Sequence, residues 1–195
     1  MKILAATNNK HKLVELRDIL GSHGIEVISA AEAGGVPEVD EDQPTFEGNA
    51  LKKAVETAKA KSMIVFADDS GLCVNALDGR PGVYSARYAG TGATDSDRIN
   101  KLLGELEDHD DRSAKFVCVI ALASPEGPIG TALGECHGKI SNSPTGDQGF
   151  GYDPVFIPEG FDKSFAELGD DIKNSLSHRG NALKKALQDG LFKLG

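Results

Sequence analysis

The sequence predicts an α/β fold, a mixed, twisted sheet with helices on its faces, and three observations carry that expectation. Apolar runs such as Ile3-Leu4-Ala5-Ala6 and Met63-Ile64-Val65-Phe66-Ala67 have the length of buried strands. Between them lie segments whose apolar residues recur at helical spacing, as do Leu13, Leu16, Ile19 and Leu20. Clusters of Asn, Gly and Pro separate the two kinds of segment. The 195 residues fit one domain, 1–195, or two lobes of it sharing a core on either side of a central cleft.

Each element follows from local chemistry. Residues 2–7 form a short buried strand ending in the polar turn Thr7-Asn8-Asn9. The helix carrying Leu13 to Leu20 comes next and stops at Gly21 and Gly24. A second strand covers 25–28, and the acidic, Gly- and Pro-rich stretch 33–44 reads as a loop. A helix over 45–61 presents Phe46, Ala50, Ala54 and Ala58 along one face. The strand 63–67 runs into Asp68-Asp69-Ser70-Gly71, where Gly71 lets the chain turn, and a further strand is expected over 72–77. Gly79-Arg80-Pro81-Gly82 is a tight loop. Thr94 caps a helix carrying Ile99, Leu102, Leu103 and Leu106. A long strand over 115–123 passes through the turn Pro125-Glu126-Gly127-Pro128 into another over 129–140. A glycine-rich loop covers 146–151, and a helix over 181–188 closes the chain with Leu183, Ala186 and Leu187 on its apolar side. No repeat, low-complexity tract or linker interrupts this order.

Composition narrows the function classes. Lys and Arg total 21 against 30 Asp and Glu, a net charge of −9. That balance argues against nucleic acid as partner, because gripping its backbone takes surplus cations. No apolar run approaches the ~20 residues of a membrane helix, and the first strand begins without the apolar stretch of a signal peptide. Cys73, Cys118 and Cys136 suit a reducing cytoplasm and form neither a disulfide framework nor a zinc pattern. A cytoplasmic protein with no membrane partner is the expectation.

Five places could carry chemistry. Thr7, Asn8 and Asn9 occupy a strand-to-helix turn, and Lys10 and Lys12 lie in the first helical turn, where the dipole disfavours cations. A bound phosphate would remove that penalty; alternatively Asn8 or Asn9 caps the helix and the lysines are solvated. It is not a Walker loop, since the glycines are missing. Asp68 and Asp69 follow a buried strand, and in an extended chain their side chains point to opposite sides, so one carboxylate faces a given ligand and can hold Mg²⁺. The alternative is an Asx-type turn in which both satisfy backbone N–H groups. In Gly149-Phe150-Gly151-Tyr152-Asp153-Pro154 a ring can stack on a nucleobase and the acid can accept from base or ribose, or the rings simply cover the core edge. Lys173, His178 and Arg179 lie near Ser177, a good N-cap for the last helix, and again place cations at a helix start. The acidic run Glu38, Asp40, Glu41 and Asp42 reads as solvated loop, or as the source of a second metal ligand. From spacing alone His11, His23, His109 and His137 are surface or structural residues, and no Ser/His/Asp triad or activated cysteine is indicated.

Six motifs, in this order and spacing, resemble those of the inosine triphosphate pyrophosphatase family, the XTP/dITP diphosphatases. They are Thr7-Asn8-Asn9-Lys10-His11-Lys12, Thr45-Phe46-Glu47-Gly48-Asn49-Ala50, Asp68-Asp69-Ser70-Gly71-Leu72, the stretch from Pro81 to Gly90, Gly149-Phe150-Gly151-Tyr152-Asp153-Pro154 and Ser177-His178-Arg179. The resemblance implies an elongated two-lobed α/β fold with a central nucleotide-binding cleft, acting as a homodimer. It implies Mg²⁺-dependent hydrolysis of ITP, dITP and XTP to monophosphate and pyrophosphate, which clears the nucleotide pool. Carried over by motif, Thr7, Asn8, Asn9, Lys10, His11 and Lys12 hold phosphates. Asp69 is general base and metal ligand, Glu41 (or Asp40) is the second ligand, Ser70 touches substrate, and Lys53 stands near the triphosphate. Phe150, Gly151, Tyr152, Asp153, Lys173, His178 and Arg179 serve the base and sugar end and help with phosphates. Gly48 departs from the pattern, since many relatives carry Glu there; the role of that acid is absent or moved to Glu47.

The same residues suggest a mechanism. Asp69 deprotonates water for attack at the α-phosphorus while Mg²⁺ and lysines offset phosphate charge. A 6-oxo purine meets donors such as Lys173 or Arg179, an arrangement able to reject a 6-amino purine by ~10⁴. A nucleotide sensor that binds without cleaving is the competing reading, and it has less need of the acid pair.

Overall fold

The apolar runs become the strands of one sheet. The computed structural model describes residues 2–193; the side chains of residues 11, 15, 170, 171 and 174 lie outside the described residues, so the expectation for His11 stays at the sequence level. The elements run β1 (Lys2–Ala5), α1 (Lys10–Gly21), β2 (Glu26–Ile28), α2 (Phe46–Lys61), β3 (Val65–Val74), α3 (Asp95–Glu105), β4 (Ser113–Ser124), β5 (Gly127–Ile140), β6 (Phe156–Pro158), α4 (Phe165–Leu168), α5 (Asp170–Leu176) and α6 (His178–Gln188). The six-stranded sheet has the order β2-β1-β3-β4-β5-β6. It is mixed, because β1 pairs in parallel with β2 and β3 while β5 and β6 are antiparallel. Helices form where capping and spacing call for them. Thr45 accepts from the Gly48 N–H at 3.0 Å to start α2, and Thr94 and Asp97 close a reciprocal capping box at α3.

Two compact units divide the chain. The first comprises Met1–Asp69, Cys118–Gly134 and Arg179–Gly195; the second comprises Ser70–Val117 and Glu135–His178. In the first, both sheet faces are buried, and strand alternation decides which side chain goes where. Ile3, Ala5, Phe66, Cys118, Ile120 and Leu122 pack with Leu16 and Leu20 of α1 and with Ala182, Leu183 and Ala186 of α6. Their neighbours Leu4, Ala6, Val65, Ala67, Val119, Ala121 and Ala123 pack on the opposite face with Ala50, Ala54 and Ala58 of α2. The second unit has its own core, in which Leu72, Val74, Phe116, Ile140 and Phe156 meet Ile99, Leu102 and Leu106 of α3 and Phe165 of α4. Ring centroids of Phe116 and Phe156 lie 4.6 Å apart.

Strand β3 runs further than the residues suggest. The expected turn at Gly71 does not occur, and the separate strand expected over 72–77 is the continuation of β3 to Val74 followed by one 3₁₀ turn, Asn75–Leu77. Asp and Gly are weak strand formers, but here both carboxylates are buried against partners, and the Leu72 N–H is satisfied by the Ser85 hydroxyl at 2.9 Å. The alternative of an Asx turn is thereby ruled out. The short elements β6, α4 and α5 had no counterpart in the sequence reading, being too brief to display a period.

Candidate active site

Alternation along β3 sends the two carboxylates to different faces. Asp68 shares the face of Phe66, towards α1 and α6; Asp69 shares the face of Ala67, towards α2. On the first face, Lys12 Nζ donates to Asp68 Oδ2 at 2.9 Å, and the Nε and Nη2 of Arg179 reach the same oxygen at 3.4 Å. The Cys118 thiol lies 4.0 Å from that oxygen, and burial together with the Asp68 charge pushes it up to about 12. Burial alone would raise the Asp68 carboxyl, but the charges of Lys12, Arg179 and Lys53 prevail and hold it well below the usual carboxylate range. Asp68 is therefore a fixed anion. It accounts for one misplaced cation at each helix start: Lys12 and Arg179 meet an anion that the protein itself supplies.

On the other face Asp69 is different. Its Oδ2 accepts from Asn49 Nδ2 at 2.9 Å, and Asn49 Oδ1 accepts from the Gln43 N–H at 2.9 Å. Burial raises its pKa most, the Asn49 hydrogen bond opposes this, and the Glu41 charge raises it further, so Asp69 is more basic than an ordinary aspartate. Lys53 bridges the loop to the strand: it pairs with the Glu41 carboxylate and donates to the Asp68 carbonyl at 3.2 Å. Burial works against the Lys53 charge, but Glu41 and Asp68 hold its pKa above the ordinary value. Of the two candidate second acids, Asp40 is exposed and Glu41 is the one beside Lys53. Adjacent acids in contrasting environments are the arrangement that separates an inert charge from a proton acceptor.

The turn before α1 keeps its cap. Thr7 Oγ1 accepts from the Asn9 N–H at 3.2 Å, and Asn9 Oδ1 accepts from the Lys12 N–H at 3.2 Å, so Asn9 caps α1 while Asn8 and Lys10 are exposed. Lys12 is not solvated as the capping alternative supposed. Glu47, the neighbour of the missing acid at position 48, is exposed, and its Oε1 accepts from Thr131 Oγ1 at 2.7 Å. Ser70 is half-buried on β3.

The second unit carries the aromatic loop. Asp153 Oδ2 accepts from the Phe150 N–H at 2.9 Å and from Lys173 Nζ at 2.8 Å, and that ammonium lies 4.3 Å from the centroid of the Phe150 ring. Gly149, at φ 77°, leaves room for the Asp153 carboxylate where a Cβ would collide with it. Gly151 donates its N–H to Asp95 at 2.7 Å, which ties the loop to the start of α3. Phe150 is half-buried. Tyr152 is not: its ring belongs to the core and its hydroxyl donates to the Ser85 carbonyl at 3.0 Å, the core-covering alternative for that residue. His178 is buried with its ring stacked on Phe116 at 4.7 Å. Arg179, which the resemblance assigns to the base, sugar and phosphates, reaches Asp68, because the first turn of α6 faces the side of β3 where Asp68 lies. Asn49, Gln43 and Asp95 were missed; an asparagine inside a helix, where its propensity is poor, was the available signal for the first.

A sheet-borne pair of acids, one neutralised and one kept basic beside lysines, is the equipment of a hydrolytic enzyme. The model of the Ham1 family matches residues 3–189. A dITP/XTP pyrophosphatase of Desulfotalea psychrophila is 52% identical over 93% of this chain and 81% of its own length, and one of Desulforamulus reducens is 50% identical over 96% and 94%. The structure of a HAM1 protein from Coxiella burnetii superposes with a TM-score of 0.89 at 42% identity, covering all of both chains. The chain belongs to the Ham1 family of enzymes.

Proposed function

We propose that this enzyme hydrolyses dITP, ITP and XTP to the monophosphate and pyrophosphate, withdrawing these nucleotides from the pool. The names of its relatives support the substrate, and one observation carries the chemistry: Asp68 is neutralised by Lys12 and Arg179 while Asp69, its neighbour, stays basic. Asp69 holds the attacking water and accepts its proton at a carboxylate oxygen. Attack at the α-phosphorus breaks its bond to the bridging oxygen and expels pyrophosphate, whose charge Lys12 and Lys53 offset. Asp68 does not compete for the proton, because its charge is already matched.

Mg²⁺ is the cofactor we assign to this centre. Asp69 and Glu41 present hard oxygen donors close enough for the Glu41 charge to raise the Asp69 pKa, so a cation there would relieve both. Two carboxylates are as many as Mg²⁺ ordinarily takes from a protein when substrate phosphates complete its shell. When bound it supplies charge neutralisation at the phosphate oxygens. Thr7, Asn8, Asn9 and Lys10 remain our phosphate-side residues, Ser70 a substrate contact. In the second unit Phe150 offers a ring face to a purine, while Lys173 and Asp153 offer a donor and an acceptor to its edge. We expect the enzyme to act as a cytoplasmic homodimer. Its free thiols fit a reducing compartment, and no described helix is long and apolar enough to cross a membrane.

Incubation with ITP, dITP, XTP, GTP or ATP and Mg²⁺ should yield pyrophosphate and monophosphate from the first three, with chelation of the metal stopping turnover. Release of orthophosphate would overturn attack at the α-phosphorus, and equal turnover of ATP and ITP would overturn the base selectivity. Phe150→Ala should raise KM for ITP roughly tenfold, since a base–aromatic stack is worth about 1–3 kcal/mol. An unchanged KM in steady-state assays would remove the ring from base recognition.

A further inference from the structure

We infer that Asn49 is the positioning residue of Asp69, locked in its working orientation by the Gln43 backbone, and that Gly48 is what lets Gln43 lie there. The inference rests on the reading of Asp69 as general base. Asn49 is buried in the first turn of α2, and its amide has two defined ends. The Gln43 N–H can only donate, so the Asn49 end facing it at 2.9 Å is the oxygen; the end facing Asp69 Oδ2 at 2.9 Å is then the NH₂ group. A flip would turn the amide oxygen against the carboxylate and its NH₂ against an N–H, two donor–donor or acceptor–acceptor clashes in a buried place. The amide thus has one orientation, and it fixes the rotamer of Asp69.

The backbone that sets this orientation lies two residues after Glu41. Asn49 therefore ties the loop bearing one acid to the strand bearing the other, independently of the Lys53 contact to Glu41. Gly48 makes the approach possible. A Cβ at position 48 would lie 2.8 Å from Gln43 Cβ and 3.1 Å from Thr45 Oγ1. The first of these atoms is close to the backbone, so the loop and not merely a side-chain tip would have to move. Gly48 is not left-handed; what it provides is room. The helix that starts at Thr45 presents the gap and the amide in consecutive residues, so one turn of α2 both admits the loop and reads its position.

The test is steady-state kinetics on dITP with Mg²⁺, with thermal midpoints, for Asn49→Ala, Asn49→Asp, Gly48→Ala and Asp69→Asn. Asn49→Asp keeps the shape of the side chain but cannot donate while ionised. The expected result is a fall in kcat of about 10- to 100-fold for both Asn49 variants, with KM within about twofold, the range in which small misplacements of a reacting group are felt. Gly48→Ala should lower kcat in the same direction, because the loop moves while Asn49 and Asp69 are both present. Wild-type kcat in Asn49→Asp would overturn the proposal, since the donated hydrogen bond would then be dispensable. A parallel loss of kcat, KM and thermal midpoint in Asn49→Ala would overturn it too, by making the residue a packing element. The underlying reading fails separately: it falls if Asp69→Asn turns over dITP normally, whereas an inactive Asp69→Asn beside a fully active Asn49→Ala leaves the base standing and removes its positioning residue.

Discussion

Asp69→Asn should lower kcat for dITP by about 10²–10⁴-fold, the usual worth of a positioned general base, while leaving the fold at least as stable as before. The first half follows from the role proposed for Asp69. The second follows from its environment: burial and the Glu41 charge raise its pKa, so the ionised carboxylate costs the folded protein more than the unfolded chain. An asparagine is uncharged, avoids that cost, and can still accept from Asn49 Nδ2 through its own carbonyl. Thermal unfolding and product assays on one preparation check both halves. Retained turnover would take the base role from Asp69, and a collapsed thermal midpoint would contradict the account of its surroundings.

Asp68→Asn, one residue earlier and just as small a change, should do the reverse to stability. Lys12 and Arg179 would lose the anion between them inside the protein, and removing one partner of a buried ion pair costs about 3–5 kcal/mol. The pH dependence has a definite sign. The Asp68 carboxyl is depressed in the folded protein, so its contribution is fully present above the ordinary Asp value of ~4 and is lost as pH falls from there through the depressed value. Denaturant unfolding at neutral pH should therefore separate wild type from Asp68→Asn widely, and the gap should narrow below pH ~4. Equal stability at neutral pH would mean that the two cations do not depend on Asp68.

Much of this was legible in the residues. Helical spacing gave α1, α2 and α3, and apolar runs gave β1, β3 and β4, because those signals are local. Cations at the starts of α1 and α6 called for an anion, which the residues suggested as a bound phosphate, and in the fold Lys12 and Arg179 meet Asp68. Which anion was not legible, since that depends on α1 and α6 lying against the same face of β3, a matter of tertiary packing. The turn expected at Gly71 failed for a related reason: the weak strand preference of Asp and Gly is a local statement, and partners for both carboxylates come from residues as distant as Lys12 and Arg179. Tyr152 and Phe150 share a loop and a chemistry, and only packing separates the core ring from the half-buried one. Asn49 was overlooked because one polar residue in a helix looks unremarkable until its two amide ends have neighbours.

The unbroken course of β3 makes the register of that strand a chemical address. A strand assigns its residues to faces by parity alone, so a one-residue slip or bulge upstream of the acids would exchange the faces they take. Deleting one residue ahead of the acids would put Asp69 where Asp68 now lies, between two cations, and Asp68 one place earlier, on the α2 face with Ala67's neighbours. Both residues would still be there, one after the other, in a sheet of the same order, yet each would lie on the other's face. Deleting a single residue from β3 is thus a different lesion from mutating either acid, and the parallel pairing of Leu4 with Val65 and Ala5 with Phe66 guards the chemistry from three residues away.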